Sequence, residues 1–203
     1  MAPANRIEGL LLAAGESSRM GYPKPLLEVG GVTFLAKSAG AMLQVAERVI
    51  VVLGAYRERI EAALPHDRRI VTAYNPDFAR GQLSSLKIGL ARVGQEAQAV
   101  VVHLADHPLV NLATFQAVAA EYGRSGRPIV IARYQGRRGH PVLFDRSIFG
   151  ELMEAPEDQG ARVVVNREPS RVGYVDVEDA GTVLDLDTPE DLASAGLHLP
   201  RVR

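Results

Sequence analysis

Apolar residues in this chain form short continuous runs, separated by longer stretches in which apolar and polar positions recur with a helical period. The runs predict five buried strands, at 7–13, 48–53, 69–74, 97–104 and 128–132. The stretches between them predict helices at 35–46, 56–64, 84–93 and 113–122. Strands that are apolar on both faces and alternate with helices are typical of a parallel sheet covered on both sides. We therefore predict an α/β protein with a Rossmann-like, doubly wound, mostly parallel sheet.

The pattern changes in the C-terminal third of the chain. A stretch rich in Gly and Arg, 134–144, predicts a hairpin or an excursion from the sheet. The remaining elements are short: helices at 149–154 and 160–165, late edge strands at 172–177 and 182–186 that pair antiparallel, and a helix from Thr188. Pro189 suits the first position of that helix, and Asp191 completes a capping box with Thr188. We predict one domain over 1–203, with a C-terminal excursion that faces the substrate.

Composition narrows the class of protein. The chain has 203 residues with a net charge of −1, which argues against a globally basic nucleic-acid binder. It has no Cys, so a thiolate nucleophile and a Cys-based zinc site are excluded. No apolar run approaches the roughly 20 residues of a membrane helix, and the N-terminus lacks the pattern of a signal peptide. We expect a cytoplasmic protein without a membrane or nucleic-acid partner.

A Gly-containing loop follows the first predicted strand. Gly15 has no Cβ and lets backbone approach a ligand, while Ser17 and neighbouring N–H groups could cradle phosphate oxygens. Arg19 and Lys24 add two positive charges. The spacing of Gly15 and Gly21 does not fit the dinucleotide fingerprint, and no Gly-Lys-Ser/Thr of a Walker loop is present. The loop predicts a phosphate site, and a surface loop with solvated charges is the alternative.

Two carboxylates stand where predicted elements end. Asp106 follows the fourth strand, and Asp187 lies just before the last helix. Strands one and four are expected to be neighbours, which would bring Asp106 opposite the Gly15 loop. A hard cation such as Mg²⁺ takes few carboxylates, so these two are candidate ligands; a turn at Asp106 and helix capping at Asp187 are the alternatives. His103 and His107 have the spacing of a zinc pair on a helix, but the strand context and Pro108 favour His103 as a core or sheet-face residue.

The loop and the two carboxylates together resemble a known family. The segment from Leu12 to Gly21 reads Leu-Ala-Ala-Gly-x-Ser-x-Arg-Met-Gly, with Lys24 after it. This is similar to the signature of the MobA-like NTP transferases, and more closely to their molybdenum cofactor cytidylyltransferase (MocA-like) branch. The resemblance runs over nearly the whole chain and implies a fold like that of the nucleotide-diphospho-sugar transferases. In the family, an Asp-x-Pro motif and a late Asp-Thr-Pro motif hold Mg²⁺, which Asp106 and Asp187 match, while Asp185 is a candidate supporting residue.

The resemblance also implies which residues contact the nucleotide. They are Leu12, Ala13, Ala14, Gly15, Ser17, Arg19, Lys24, Ser84, Ser85 and Asp106. Alanine at position 14, where related guanylyltransferases carry Gly, goes with CTP in the family; a methyl beside the base would favour a pyrimidine. Ser84 and Ser85 are also candidate helix caps. Lys24, Arg19 and Asp106 would be the catalytic residues.

Two further segments imply the acceptor side of the site. Gly-His-Pro-Val at 139–142 resembles a family segment near the acceptor, and Asp158-Gln-Gly-Ala-Arg162 resembles another. The implied substrate-binding residues are His107, Arg137, His140 and Gln159, with Arg138 beside them; a solvated basic hairpin is the alternative for the arginines. Family members often carry Gln where this chain has His107, which leaves the substrate contact there open.

The resemblance implies a Mg²⁺-dependent cytidylyltransferase that moves CMP from CTP to the phosphate of molybdopterin, releases pyrophosphate and passes the product to a recipient molybdoenzyme. Other readings on the same fold are GTP- or CTP-dependent transfer to another phosphorylated acceptor, a non-catalytic molybdenum-cofactor chaperone, and a nicotinamide-dependent reductase. The sequence carries no dinucleotide fingerprint that favours the last of these.

Overall fold

The structure is a computed structural model that describes residues 6–200. Its strands are β1 Ile7–Ala13, β2 Glu28–Val29, β3 Val32–Thr33, β4 Val49–Leu53, β5 Ile70–Tyr74, β6 Ala99–Leu104, β7 Ile129–Tyr134, β8 Arg137–Asp145 and β9 Val172–Asp176. Its helices are α1 Phe34–Met42, α2 Arg57–Ala62, α3 Gln82–Leu90, α4 Leu112–Ser125, α5 Phe149–Glu154, α6 Arg162–Arg167 and α7 Pro189–Ser194. All the strands and helices predicted up to residue 132 are present, with ends that shift by a few residues. Within residues 6–200, no helix combines the length and the apolar character needed to cross a membrane.

A seven-stranded sheet, in the order β5-β4-β1-β6-β8-β7-β9, carries the fold, and β2 pairs antiparallel with β3 in a separate two-stranded sheet. β5, β4, β1 and β6 run parallel, β9 runs parallel to β7, and β8 runs antiparallel to both of its neighbours. The prediction of a mostly parallel α/β sheet is confirmed. Successive side chains of β1 point to opposite faces, so Leu11 joins one buried layer and Leu10 the other. β1 and β6 are neighbours, as expected, and their carboxyl ends lie at one edge.

The stretch 134–144 forms a hairpin, one of the two forms predicted for it. Gln135 and Gly136 connect β7 to β8, both with positive φ (47° and 78°). Two left-handed residues match the right-handed twist of the flanking strands in such a tight turn. The hairpin inserts β8 between β6 and β7, so that Val142 pairs with Val102 on β6 while Arg137 and Arg138 pair with the end of β7.

The prediction that 172–177 and 182–186 pair antiparallel is wrong. β9 pairs in parallel with β7, while the chain after it forms a 3₁₀ turn at Ala180–Val183 rather than a strand. Two contacts explain this course. The carboxylate of Asp179 accepts hydrogen bonds from the backbone N–H groups of Gly181 and Asn111, which ties the segment to the start of α4. Gly181 also lies so close to the backbone of Leu109 that a Cβ would collide with it. The last helix begins at Pro189, with Thr188 as its N-cap and the predicted capping box.

Candidate active site

A charged cavity of about 150 Å³ opens where β1 and β6 end. Its walls come from the loop after β1, the end of β6 and the segment before α7. Eight of the residues proposed from the sequence line it, namely Leu12, Ala13, Gly15, Ser17, Arg19, Lys24, Asp106 and Asp187. Ser18, Pro25 and Ala105 complete the lining. The sequence-predicted meeting of the Gly15 loop with Asp106 and Asp187 is therefore present in the fold.

The loop after β1 is held by its own backbone and by one hydroxyl. Ser17 has a positive φ of 53°, its carbonyl accepts from the N–H groups of Met20 and Gly21, and its Oγ accepts from the N–H of Lys24 at 3.0 Å. Met20 is buried in a small apolar cluster with Leu186 and packs the loop down. No atom would contact a Cβ at Gly15, so that position faces open space. The loop is thus fixed in shape while its Gly15 side stays accessible.

Lys24 joins the two carboxylates. Its Nζ lies 2.8 Å from Asp106 Oδ2 and 2.6 Å from Asp187 Oδ1, and Arg19 donates to Asp187 Oδ2 at 2.6 Å. Burial alone would lower the pKa of Lys24, but Asp106 and Asp187 outweigh it and raise that pKa above its usual value. Burial likewise raises the pKa of Asp106, and the charge and hydrogen bond of Lys24 more than reverse this. Lys24 and Asp106 are therefore both ionised at pH 7.

The donor set of this cavity fits a divalent cation. Asp106 Oδ1 is buried and has no hydrogen-bond partner among the described residues, although a buried carboxylate oxygen ordinarily has one. Asp187 Oδ1 lies 2.6 Å from Lys24 Nζ, which also contacts Asp106 Oδ2. Two protein carboxylates are what Mg²⁺ takes when substrate phosphates and water complete its shell.

The segment before α7 places Asp187. Asp191 Oδ2 accepts hydrogen bonds from the backbone N–H of Asp187 at 3.0 Å and from that of Thr188 at 2.8 Å. The N–H of Leu186 donates to the carbonyl oxygen of Asp106 at 3.1 Å, which ties this segment to the end of β6. The predicted capping of α7 and the predicted ligand role of Asp187 are thus compatible, because Thr188 and Asp191 do the capping and the Asp187 side chain remains directed at Lys24.

A second cavity, of about 520 Å³, lies over β6, β8 and β7 on the face that also carries α3 and α6. Apolar side chains of α3 and these strands form much of its wall, including Leu86, Val142 and Phe144. Its polar lining comprises Gln82, His107, Arg137, Arg138, His140, Arg162 and Asp185. Leu12 lines both cavities, so the two spaces adjoin.

The histidines at this junction are packed together. His107 Nε2 lies 2.7 Å from Asp185 Oδ1, and His103 Nε2 donates to the carbonyl oxygen of His107 at 3.1 Å. The rings of His107 and His140 lie 5.2 Å apart. Burial, and then the proximity of His107, lowers the pKa of His140 to about 4, and burial lowers the pKa of His103 well below its usual value. Both imidazoles are therefore neutral at pH 7.

Several predicted nucleotide and substrate residues lie outside both linings. The hydroxyl oxygens of Ser84 and Ser85 accept hydrogen bonds from the Asn75 side chain, and both serines are buried. Neither caps α3, because that helix begins at Gln82 after Gly81. Ala14 is buried and its carbonyl accepts from Ala55 N–H, so its methyl is absent from the cavity wall. Gln159 is exposed and its neighbours 160–162 line the larger cavity instead.

Two polar residues that line the larger cavity, Gln82 and Asp185, were not predicted from the sequence to line it. Gln82 follows Gly81, whose positive φ of 104° turns the chain into α3, and that Gly-Gln pair was the available signal. Asp185 was proposed only as a supporting residue of the metal site, and the structure pairs it with His107. No spacing rule links position 107 to position 185, because the turn at Ala180–Val183 sets their approach.

Comparison with known proteins agrees with this geometry. The mostly parallel seven-stranded sheet with helices is the architecture of the nucleotide-diphospho-sugar transferase fold, which nucleotidyltransferases share. Residues 9–172 match the family described as MobA-like NTP transferase domain. The chain belongs to this family of nucleotidyltransferases.

Individual relatives carry different names. The chain is 28% identical to the molybdenum cofactor cytidylyltransferase of Escherichia coli (strain K12), over 93% of this chain and 95% of that one. It is 33% identical to the nicotine blue oxidoreductase of Paenarthrobacter nicotinovorans, over 92% and 94%. A crystal structure of Rv0371C in complex with manganese, from Mycobacterium tuberculosis H37Rv, superimposes with a TM-score of 0.71 at 32% identity, over 93% of this chain and 97% of that one.

Proposed function

We propose that this protein transfers CMP from CTP to the terminal phosphate of a molybdopterin-type acceptor and releases pyrophosphate. The observation that carries the proposal is the contact of Lys24 with both Asp106 and Asp187, in a cavity that adjoins a larger one rimmed by arginines. Fixed charges of both signs beside an open Gly15 loop suit a triphosphate and its counterion, and the adjoining cavity offers room for a second substrate.

The chemistry needs positioned charge more than a base. A phosphate oxygen of the acceptor attacks the α-phosphorus of CTP in line, forming one P–O bond while the bond to the pyrophosphate oxygen breaks. That oxygen is already ionised at pH 7, so no side chain has to remove a proton. Lys24 and Arg19 would stabilise the negative charge on the phosphates, because fixed cations in a partly buried site need no reorganisation. The absence of an adjacent nucleophile–base pair in the described lining accords with this reaction.

Asp106 and Asp187 would hold the divalent cation, which we propose is Mg²⁺. When bound, such an ion neutralises phosphate charge and stabilises the leaving pyrophosphate. The unpartnered Oδ1 of Asp106 supports a cation at this position, and the manganese complex of the Rv0371C structure supports the binding of a divalent cation by a similar protein. Asp191 and Thr188 would keep the Asp187 carboxylate turned toward it.

The larger cavity would take the acceptor. Arg137, Arg138 and Arg162 supply positive charge for its phosphate, and neutral His140 supplies a polar group without repelling them. The apolar wall suits a flat ring system. We propose that the protein works in the cytoplasm and passes its product to a recipient molybdoenzyme. The name of the Escherichia coli relative supports both the nucleotide and this acceptor.

The preference for CTP over GTP is predicted from Ala14. Since Ala14 does not line the cavity, its effect would pass through the shape of the loop rather than through contact with the base. Calorimetric titration with CTP and with GTP, each with and without Mg²⁺, tests this directly. Mg²⁺-dependent binding of CTP in preference to GTP supports the proposal, and a preference for GTP would indicate a guanylyltransferase instead.

The decisive assay is pyrophosphate release from CTP in the presence of a molybdopterin acceptor. We expect release from the wild-type protein and loss of release in Asp106→Ala, with the fold retained. Normal turnover in that variant would contradict the metal assignment. Acceptor binding without pyrophosphate release would favour the chaperone reading, and release with other phosphorylated acceptors would redefine the substrate.

A nicotinamide-dependent reductase is the second candidate, because the 33% identical relative is named nicotine blue oxidoreductase. The larger cavity, with its apolar wall and cationic rim, is compatible with a flat dye as well as with a pterin. Oxidation of NADH or NADPH in the presence of a quinonoid dye, without pyrophosphate release, would favour this candidate over nucleotidyl transfer.

A further inference from the structure

We propose that the close polar contact between His107 Nε2 and Asp185 Oδ1 is a clasp that sets the separation of the two carboxylates Asp106 and Asp187. His107 and Asp185 are then positioning residues for the metal site. The inference rests on the proposed function only in taking Asp106 and Asp187 as cation ligands.

The clasp lies where the two cavities adjoin. Two segments meet there, the residues that follow β6 and the residues that precede α7. Each presents one residue to each cavity: Asp106 and Asp187 line the smaller one, while His107 and Asp185 line the larger one. The contact between His107 Nε2 and Asp185 Oδ1 measures 2.7 Å. A change in this one contact therefore acts on the spacing of ligands whose side chains it does not touch.

Few other bonds fix the segment that carries Asp187. It is outside the sheet, so no strand ladder sets its distance from β6. Asp179 anchors its start to α4, and the capping box of α7 fixes its end. Between these points, the direct described contacts with the end of β6 are the hydrogen bond from Leu186 N–H to the Asp106 carbonyl and the His107–Asp185 contact, while Lys24 bridges Asp106 and Asp187 indirectly. Of the two direct contacts, the second is made by side chains and can be removed by substitution without changing Lys24.

Repulsion between the Asp106 and Asp187 carboxylates tends to push the two segments apart. Both lie within 2.8 Å of one lysine nitrogen, and two like charges so close repel each other. Substrate phosphates would add further negative charge. The His107 side chain is buried, and its backbone carbonyl is held in turn by His103 Nε2, so it provides a fixed point from which to hold Asp185. The clasp thereby opposes separation of the two segments.

Matched variants of His107 isolate the bond. His107→Gln keeps an N–H donor at about the reach of the imidazole Nε2, whereas His107→Leu keeps bulk and loses the donor. Asp185→Ala removes the acceptor, and Glu178→Ala removes the same charge from an exposed position on the same segment. The double variant His107→Leu/Asp185→Ala tests whether the two residues act through one contact.

The measurement is Mn²⁺ affinity, from the electron paramagnetic resonance signal of free Mn²⁺ during titration of the protein without nucleotide. We expect His107→Leu and Asp185→Ala to bind Mn²⁺ about ten- to a hundredfold more weakly, as for other residues that orient metal ligands. His107→Gln and Glu178→Ala are expected to stay within about twofold of wild type, and the double variant to be no weaker than either single one. Circular dichroism melting checks folding, and if His107→Leu is unfolded, the exposed Asp185→Ala carries the test.

Each result distinguishes the clasp from the proposed function. Wild-type affinity in His107→Leu or in Asp185→Ala overturns the clasp and leaves nucleotidyl transfer untouched. Failure of the wild-type protein to bind Mn²⁺ overturns the clasp and the metal site together. The expected pattern, in a protein that releases no pyrophosphate from CTP, supports the clasp while contradicting the proposed substrates.

Discussion

The two adjoining cavities are built from different chemistry. The smaller one has Lys24, Arg19, Asp106 and Asp187 in direct contact around about 150 Å³, and its side chains are already paired with each other. The larger one, of about 520 Å³, has an apolar wall with arginines at its edge, and the Arg137 guanidinium has no partner among the described residues. One space is organised by charge and the other by shape.

This difference suggests a division of roles. The smaller cavity, with its paired charges, is suited to binding phosphates. The larger cavity, with its apolar wall, can bind different flat molecules that match its shape. Proteins that share the fold and the charged cavity can then differ in what the larger space holds. The relatives named as a cytidylyltransferase and as an oxidoreductase, both matched over more than nine-tenths of this chain, are consistent with that division.

The largest expected effect follows from breaking the charged cavity. Lys24→Met removes the cation between Asp106 and Asp187 and keeps the length of the side chain. We expect pyrophosphate release to fall by about a thousandfold, since removing one charge-stabilising donor costs about 10²–10³ in turnover and this one also offsets two carboxylates. Lys37→Met, on α1 and outside both cavities, is the matched control. Turnover in Lys24→Met within tenfold of the control would contradict the assigned role.

Acidification tests the wall of the larger cavity. His140 has a pKa lowered to about 4, so between that pH and about 6.5 the unfolded chain binds more protons than the folded one. Stability is therefore complete above pH 6.5 and is lost as pH falls towards 4, by on the order of 2 kcal/mol at pH 5 relative to pH 7 from this group. Urea unfolding at both pH values measures the loss, which His140→Gln should reduce. An equal loss in that variant would assign the effect elsewhere, for example to His103.

Substitution of Arg137 tests whether the larger cavity binds the phosphate of the acceptor. Arg137→Gln removes a cation from the larger cavity, and we expect the KM for the acceptor to rise about tenfold with CTP affinity and kcat unchanged, because a lost charge-assisted contact to phosphate is worth about 1.4 kcal/mol. Arg133→Gln, on the adjoining strand and paired with Asp176 outside both cavities, is the control. A fall in kcat with unchanged KM would show that Arg137 acts on the transfer step instead.

The same division explains what could be predicted from the sequence. The parallel half of the sheet and the charged cavity follow from continuous apolar runs such as 48–53 and from the rule that strand ends share an edge, which brings Asp106 to the Gly15 loop. The larger cavity depends on contacts that no periodicity encodes. β8 lies between β6 and β7, and Asp179 ties the start of the segment predicted as a last strand, 182–186, to the start of α4. The pairing of His107 with Asp185, 78 residues apart by number (185 − 107), follows from that fold and not from spacing.

The smallest expected effect comes from removing two helix caps, Thr188 and Thr33. Comparing the two variants distinguishes an effect on stability from an effect on the geometry of the site. Thr188 Oγ1 accepts from Asp191 N–H at the start of α7, and Thr33 Oγ1 accepts from Ala36 N–H at the start of α1. Each Thr→Ala change is expected to lower the free energy of unfolding by about 1 kcal/mol, the usual contribution of such a cap. Only Thr188→Ala should also reduce pyrophosphate release several-fold, because Thr188 donates to the same Asp191 oxygen that holds the backbone of Asp187. Equal turnover in the two variants would mean that the capping box stabilises α7 without placing the carboxylate, and the task of positioning Asp187 would then fall to the His107–Asp185 clasp and the Leu186 bond.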